Sequence, residues 1–485
     1  MSVNWTWIGV LAFLIDWAIR IGFLLYIPRK RKPSSAIAWL LVIFLLPGIG
    51  IFLFLLIGSP KLSKRRRKLQ DSVDRLIEQA GKETKSDISS LSPARKQRIE
   101  PIVNLNKALG KLPAKAGNSV KVLPEYNRAI DDIVKQINSA KEFVHLEYFI
   151  LALDETTQPI FDAMESAIKK GVKVRLLIDG MGYRAYPRRK EMKKLLKSIG
   201  VNWHFMLPLR LLPSQYNRPD LRNHRKIVVI DDKTAYIGSQ NLVDRTYHRK
   251  DDIFYDELVV RITGPIVRHC SVIFACDWMA ETGEKLIDAI SPKKRPMPEK
   301  RGDVLAQILP SGPGYDTENN ARLFAKLLHA ANEKVVITNP YFVPNDAILD
   351  AITSAARRGV DVTIINSEAM DQWMVGHAQR SYYLELLTAG VKIYLHNKPV
   401  LLHSKHMTID NDIAVIGSSN MDIRSFELDL ECVLVTYSNS VVNDLRKVQK
   451  FDLSNSKQVK LSAWKKRGFK SELLDSIARL TAALQ

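Results

Sequence analysis

Hydrophobic positions are distributed very unevenly along this chain. Two long apolar runs open it, over residues 5–27 and 36–57. Each exceeds the roughly 20 residues that cross a bilayer core as a helix, so the pattern predicts an N-terminal membrane helical hairpin within residues 1–58. No Lys or Arg precedes the first run and the second follows at once, which argues against a cleaved leader. Asp16 and Arg20 lie one helical turn apart inside the first run and are expected to pair with each other. Pro47-Gly48-Ile49-Gly50 interrupts the second run near its middle. Basic clusters follow both runs, at 29–32 and 61–68, and each favours the cytoplasmic side. Two full crossings would separate them, whereas a kinked or re-entrant second run keeps them together. The remaining chain is therefore expected at the cytoplasmic face.

Residues 59–115 are basic, with a helical pattern, and read as a tether. Beyond them helical periodicity alternates with short β-branched runs, the signature of an α/β sheet covered by helices. The alternation occurs twice. The stretch 144-VHLEYFIL-151 answers to 335-VVITNPYFVP-344, 166-SAIKKGVKVRLLID-179 to 354-SAARRGVDVTIINS-367, and 200-GVNWHF-205 to 390-GVKIYL-395. Each set closes on one motif: 224-HRKIVVIDD-232 in the first and 403-HSKHMTIDN-411 in the second, their first residues 179 positions apart. A period this long means a duplicated domain rather than a solenoid. The expected divisions are 116–300 and 301–485, with the seam in the Pro- and charge-rich 291-SPKKRPMPEKRGD-303.

The motif carries the candidate chemistry. On an extended strand His224 and Lys226 project from one side, as do His403 and Lys405. Asp231 and Asp410 follow at strand ends, where they suit a hairpin turn as well as direct chemistry. Each return strand ends in G-S-x-N, placing Ser239 and Asn241, then Ser418 and Asn420, as hydrogen-bonding groups. A neutral imidazole can attack phosphorus and an imidazolium can protonate a leaving oxygen. Lysine supplies a fixed positive charge for phosphate oxygens. One copy thus makes half a site, and two copies facing each other across a pseudo-twofold axis would make a whole one.

Paired H-x-K-x4-D segments with G-S-x-N resemble the phospholipase D superfamily. The two apolar runs, 145-HLEYFIL-151, 339-NPYFVP-344, 377-HAQRSYYLELLTAGVKIY-394 and 425-SFELDLE-431 resemble, more narrowly, the bacterial cardiolipin synthases. The resemblance implies two phospholipase D-like domains, each a mixed sheet flanked by helices. It implies an active site made of His224, Lys226, Asp231, His403, Lys405 and Asp410, with Asn241 and Asn420 on the phosphate, and neither metal nor cofactor. Acidic residues that orient each histidine are expected at Glu431, 28 positions after His403, and at Glu257, with Asp256 as its rival. The implied reaction joins two phosphatidylglycerols into cardiolipin and glycerol through a phosphatidyl-histidine, His224 being the nucleophile. The implied partner is an anionic phospholipid in a bacterial cell membrane. A hydrolase or other head-group exchanger would use the same motif, and so would a nucleic-acid phosphodiesterase.

The net charge of +21 over 485 residues calls for a polyanion or an anionic surface without choosing between them. The apolar N-terminal runs favour lipid, so no nucleic-acid partner is expected. Cys270, Cys276 and Cys432 form no metal or disulfide pattern and are expected as packed thiols. The remaining histidines show no ligand spacing. The C-terminal 464-WKKRGFKSELLDSIARL-480 is an amphipathic helix, expected to pack on the second domain rather than to lie on a membrane.

Overall fold

The computed structural model describes residues 5–58, 62, 66, 85–89, 91–209, 216–247, 252–286, 295–315 and 318–482. Most of the predicted basic run at 61–68 therefore lies outside the described residues. The chain divides into two units, one holding the N-terminal segment to Lys61 with Arg218–Asp220, the other everything else.

In the first unit one helix, Trp5–Tyr26, is long and apolar enough to cross a membrane. The second apolar run is not one helix. It breaks at the proline into Pro33–Leu45 and Pro47–Ile57. Trp39 and Phe54 have ring centroids 5.3 Å apart, so these two pieces run back along each other. The predicted pair forms, Arg20 Nε lying 2.7 Å from Asp16 Oδ2. The same guanidinium donates to the Phe44 carbonyl at 2.6 Å, where the second helix ends and its carbonyls lack helical partners.

The second unit is built on one sheet that joins two lobes of like topology. From the strand Val304–Ser311 the order runs outward through Asp429–Thr436, Ile413–Gly417, His406–Ile409, Lys334–Thr338, Asp361–Ser367 and Lys392–His396. From its neighbour Lys115–Leu123 the mirrored order is Val259–Thr263, Thr234–Gly238, Ile227–Ile230, Phe143–Tyr148, Lys173–Asp179 and Asn202–Met206. The two central strands pair antiparallel, Lys115 opposite Ala306 and Asn118 opposite Val304, and the pseudo-twofold passes between them. The strand Ser456–Val459 extends the second lobe's edge alone.

Alternation along these strands feeds two apolar layers. One is continuous across the lobes: Ile227, Val229, Ile237, Val260 and the buried helix Val267–Thr282 pack with Ile308, Ile416 and Leu434. The stretch expected as a tether contains a further element. The helix Pro93–Gly110 buries Ile99, Ile102 and Val103 in the second lobe's core against Leu309, Leu323 and Phe324, so these residues are core and not a linker.

Candidate active site

The two motif hairpins form as the sequence predicts. Ile230 pairs with Thr234 and Ile409 with Ile413, and the turns between take left-handed backbone at Asp231, Asp232 and Asp410. Asp231 accepts backbone N–H bonds from Lys141, Glu142 and Phe143 at 2.8–2.9 Å. Asp410 does the same for Glu333 at 2.7 Å and Lys334 at 2.9 Å, and also pairs with Arg98. Both carboxylates lie at the far end of their strands from the histidines, seven residues or about 23 Å of extended chain away. Through these bonds each carboxylate pins the start of the adjoining strand, the supporting role that suits a turn aspartate.

His224 and His403 occupy the extended segments that precede the hairpins, and two short cross-lobe pairings hold them. Arg222–Asn223 runs parallel to Asp429–Leu430, and the His224 N–H donates to the Leu430 carbonyl at 2.9 Å. Val400–Leu402 runs parallel to Phe254–Asp256, and the His403 N–H donates to the Asp256 carbonyl at 2.7 Å. The next residue in each partner segment is a fully enclosed glutamate. His224 Nδ1 therefore meets Glu431 Oε1 at 2.9 Å, and His403 Nδ1 meets Glu257 Oε1 at 2.7 Å. The carboxylates cross over: each lobe orients the other lobe's histidine, not its own as the spacing along the chain suggests. Asp256 contributes its backbone carbonyl, and the side chain at the ring is that of Glu257.

The G-S-x-N segments serve this crossing. A side chain at Gly238 would sit 2.2 Å from the Leu258 carbonyl, and one at Gly417 would sit 2.4 Å from that of Cys432, so only glycine lets the strands approach. Ser239 Oγ accepts from the Leu258 N–H at 3.0 Å and Ser418 Oγ from the Cys432 N–H at 3.1 Å. Each serine thereby clamps the main chain just after a histidine-orienting glutamate. Ser418 also donates to Glu431, as does Ser425 at 3.0 Å. Ser425 lies outside both motifs, and no motif spacing singles it out. Asn241 accepts from the Ile150 N–H at 3.2 Å, whereas the buried Oδ1 of Asn420 has no hydrogen-bond partner among the described residues.

Lys226 Nζ donates to the His224 carbonyl at 2.7 Å and Lys405 Nζ to that of His403 at 2.6 Å. Burial is the largest influence on both histidines, both lysines and Glu431. It draws Lys226 down to about 7 and Lys405 down to about 8, the nearby glutamates opposing it. It pushes Glu431 up to about 7, against the pull of Lys226. It holds His224 well below the usual imidazole value, with Lys226, Lys405 and His403 adding to the effect. His403 is also lowered by burial, but Glu257 and, more weakly, Asp371 pull it back up. Lys226, Lys405 and His403 all depress the proton affinity of His224, so charges from both lobes act on this one ring.

The rings differ in their surroundings. Phe149 stands edge-on to His224 at 5.3 Å. Tyr255 and Tyr341 stand edge-on to His403 at 5.6 and 5.8 Å, and both donate their hydroxyls to Asp371 at 3.0 and 2.8 Å. Nothing in the motif spacing pointed to this tyrosine–aspartate group. Among the described residues no group of three or more His, Cys, Asp or Glu side chains is arranged to hold a metal ion.

Comparison with known proteins bears on the same regions. Residues 133–278 and 324–452 match the family described as cardiolipin synthase, PLD-like domain. Residues 17–59 match the phospholipase D-nuclease N-terminal family. The chain is 31% identical over 485 residues to cardiolipin synthase A of Proteus mirabilis, covering 98% of each. It is 34% identical over 471 residues to the cardiolipin synthase of Alkalihalophilus pseudofirmus, covering 96% of this chain and 92% of that one. The crystal structure of phosphatidylserine synthase from Haemophilus influenzae superposes with a TM-score of 0.60 at 16% identity, over 81% of this chain and 99% of that one, which is a likeness of fold.

Proposed function

We propose a phosphatidyl transfer between lipids for this chain, which belongs to the cardiolipin synthase family with phospholipase D-like domains. It is an enzyme, a phosphatidyltransferase of a bacterial membrane, and its substrate is phosphatidylglycerol. Neutral His224 attacks the phosphorus through Nε2, the nitrogen not held by a carboxylate. Protonated His403 gives its proton to the departing glycerol oxygen, so a P–O bond breaks as a P–N bond forms. Neutral His403 then takes the proton from a hydroxyl of a second phosphatidylglycerol. That oxygen displaces His224, giving cardiolipin and returning both rings to their starting states.

The observation that carries this reading is the pair of rings, one per lobe, each turned by the opposite lobe's glutamate. Its asymmetry supports the division of labour. Glu431 divides its oxygens among His224, Ser418 and Ser425, and His224 stays neutral among lysines. Glu257 gives one oxygen to His403 alone, and Asp371 adds to its field, which suits the proton carrier. Lys226, Lys405 and Asn420 are the groups poised for phosphate oxygens, without metal or cofactor. The serines act through the glutamates.

The hairpin supports a cytoplasmic position for the catalytic unit. The helix Trp5–Tyr26 is about 33 Å long, enough to span, whereas Pro33–Leu45 and Pro47–Ile57 are each under about 20 Å and fold back. A re-entrant second run leaves both basic clusters on one side, the cytoplasmic one by the positive-inside rule. The domain limits proposed are 1–58, 59–115, 116–300 and 301–485, with the helix Pro93–Gly110 counted to the second lobe's core.

The test is incubation of the reconstituted full chain with head-group- and phosphorus-labelled phosphatidylglycerol. Cardiolipin and free glycerol are expected in equal amounts, with acid-quenched label on His224. Phosphatidic acid as the main product would make it a hydrolase. Normal transfer by both His224→Asn and His403→Asn would overturn the mechanism.

A further inference from the structure

The helix Phe469–Leu480 is mounted inside out. Its protein-facing side is polar: Asp475 is buried, lying 2.6 Å from His377 Nδ1 and 2.7 Å from Arg467 Nη1, with Ala478 beside it. At 3.6 residues per turn, Phe469, Leu473, Ile477 and Leu480 form one stripe on the opposite side. All four are exposed, Phe469 at 76% and Leu480 at 85%. A helix that merely packs on a domain presents its apolar side to the core and its charges to water. This one does the reverse, so packing, the role expected from the sequence, explains only its Asp475 face.

The stripe does not stand alone. The helix Trp373–Ser381, which carries His377 and packs against it, exposes Trp373 at 63% and Met374 at 44%. Exposed Lys465, Lys466 and Lys470 border the apolar surface, with Glu472 on one flank. Single exposed apolar residues are ordinary, but a four-residue apolar stripe with a charged border marks an interaction site. Its position is informative too. Trp373 follows two residues after Asp371, whose carboxylate receives Tyr341 and Tyr255, the two rings edge-on to His403. The exposed Trp373 therefore lies two residues along the chain from the group that surrounds His403.

We propose that the exposed faces of Phe469–Leu480 and Trp373–Ser381 form an interfacial docking surface for an anionic lipid bilayer, through which lipid reaches the His403 side of the pocket. Phe469, Leu473, Ile477, Leu480 and Trp373 enter the boundary between head groups and acyl chains, and the lysine border meets lipid phosphates. Charge favours a bilayer over a second copy of this chain, because a copy would bring the same basic border against itself. The docking claim stands on this surface alone; only the claim that it feeds the pocket rests on the proposed transfer.

The experiment uses the full chain reconstituted in phosphatidylglycerol-containing vesicles, with an environment-sensitive dye on Leu473→Cys, Ile477→Cys and, as control, Lys170→Cys on the first lobe. The three native cysteines are buried, so the introduced thiol takes the label. Spin-labelled acyl chains are expected to quench the dye at 473 and 477 and not at 170. Quenching at 473 and 477 no stronger than at 170 would overturn docking. So would dye shielding that appears in detergent without lipid and scales with protein concentration, the mark of a second copy. In the activity arm, Leu473→Glu/Ile477→Glu is expected to lose about tenfold or more in transfer on vesicles while keeping transfer on a short-chain, monomeric phosphatidylglycerol. Equal loss on both substrates, or none on vesicles, would overturn the feeding role. Quenching at 473 and 477 without transfer by the unmodified protein would leave docking intact and refute the transfer reading instead.

Discussion

Replacing Glu257 by Gln probes the crossed carboxylates most sharply. The substitution keeps an acceptor for His403 Nδ1 and so preserves ring orientation, while removing the charge. Burial by itself depresses the proton affinity of His403, and Glu257 is the first influence opposing it. With Nδ1 and Oε1 2.7 Å apart, the two charge centres lie about 4 Å from each other, an attraction of about 4 kcal/mol at an effective dielectric of about 20. The sign follows: without Glu257 the imidazolium is lost at lower pH, so the alkaline limb of the rate profile moves to lower pH. General-acid catalysis contributes roughly 10²–10⁴-fold, so transfer near neutral pH falls about 10²-fold. The assay is the initial rate of cardiolipin formation in vesicles from about pH 5 to about pH 9, with Glu431→Gln alongside. A Glu257→Gln profile whose alkaline limb stays in place, with a rate within about threefold of the parent, would refute the reasoning.

Three further outcomes are expected. Lys226 and Lys405, drawn down to about 7 and about 8, lose their protons as the pH rises through that range, so affinity for a phosphate mimic such as tungstate weakens above neutrality, measured by calorimetry; constant affinity to pH about 9 would count against their role. Asp410→Ala strips acceptors from the amides of Glu333 and Lys334 and from Arg98, which lowers unfolding free energy by about 2–4 kcal/mol in denaturant melts while the turnover of the folded fraction holds; a selective loss of turnover would restore it to the chemistry. Gly50→Leu would drive a side chain to within 2.6 Å of the Val42 carbonyl and open the re-entrant pair, so the melting temperature of the detergent-solubilised chain drops; an unchanged melt would argue for a different course of the second run.

The sequence made visible whatever repeats along it. The H-x-K pairs, their hairpins, the G-S-x-N returns and the doubled α/β pattern all form where periodicity and turn chemistry put them. The proline break and the Asp16–Arg20 pair were also legible, since both follow from local rules. What was not legible depends on contacts between distant segments. Counting from His403 to Glu431 suggested a partnership within one lobe, but the parallel pairing of residues 222–223 with 429–430 hands that glutamate to His224. The constant spacing of the aspartates from the histidines did not disclose that both accept the main-chain amides that open the adjoining strand. The helix Pro93–Gly110 carries many charges and reads as a linker until Ile99, Ile102 and Val103 meet the second lobe's core. The C-terminal helix was recognised as two-sided, but the side it turns inward was decided by Asp475, which a hydrophobic pattern does not weigh.

The exchange of carboxylates has a bearing on ancestry. A polypeptide with a single H-x-K hairpin and its own later glutamate would carry a histidine it cannot orient and an acid with nothing to hold. Two such polypeptides, meeting along the edge now occupied by Lys115–Leu123 and Val304–Ser311, would complete one another at once. Tied into one chain, the two halves can differ in sequence, and the unlike surroundings of the two rings, Phe149 at His224 against Tyr255 and Tyr341 at His403, show that they do.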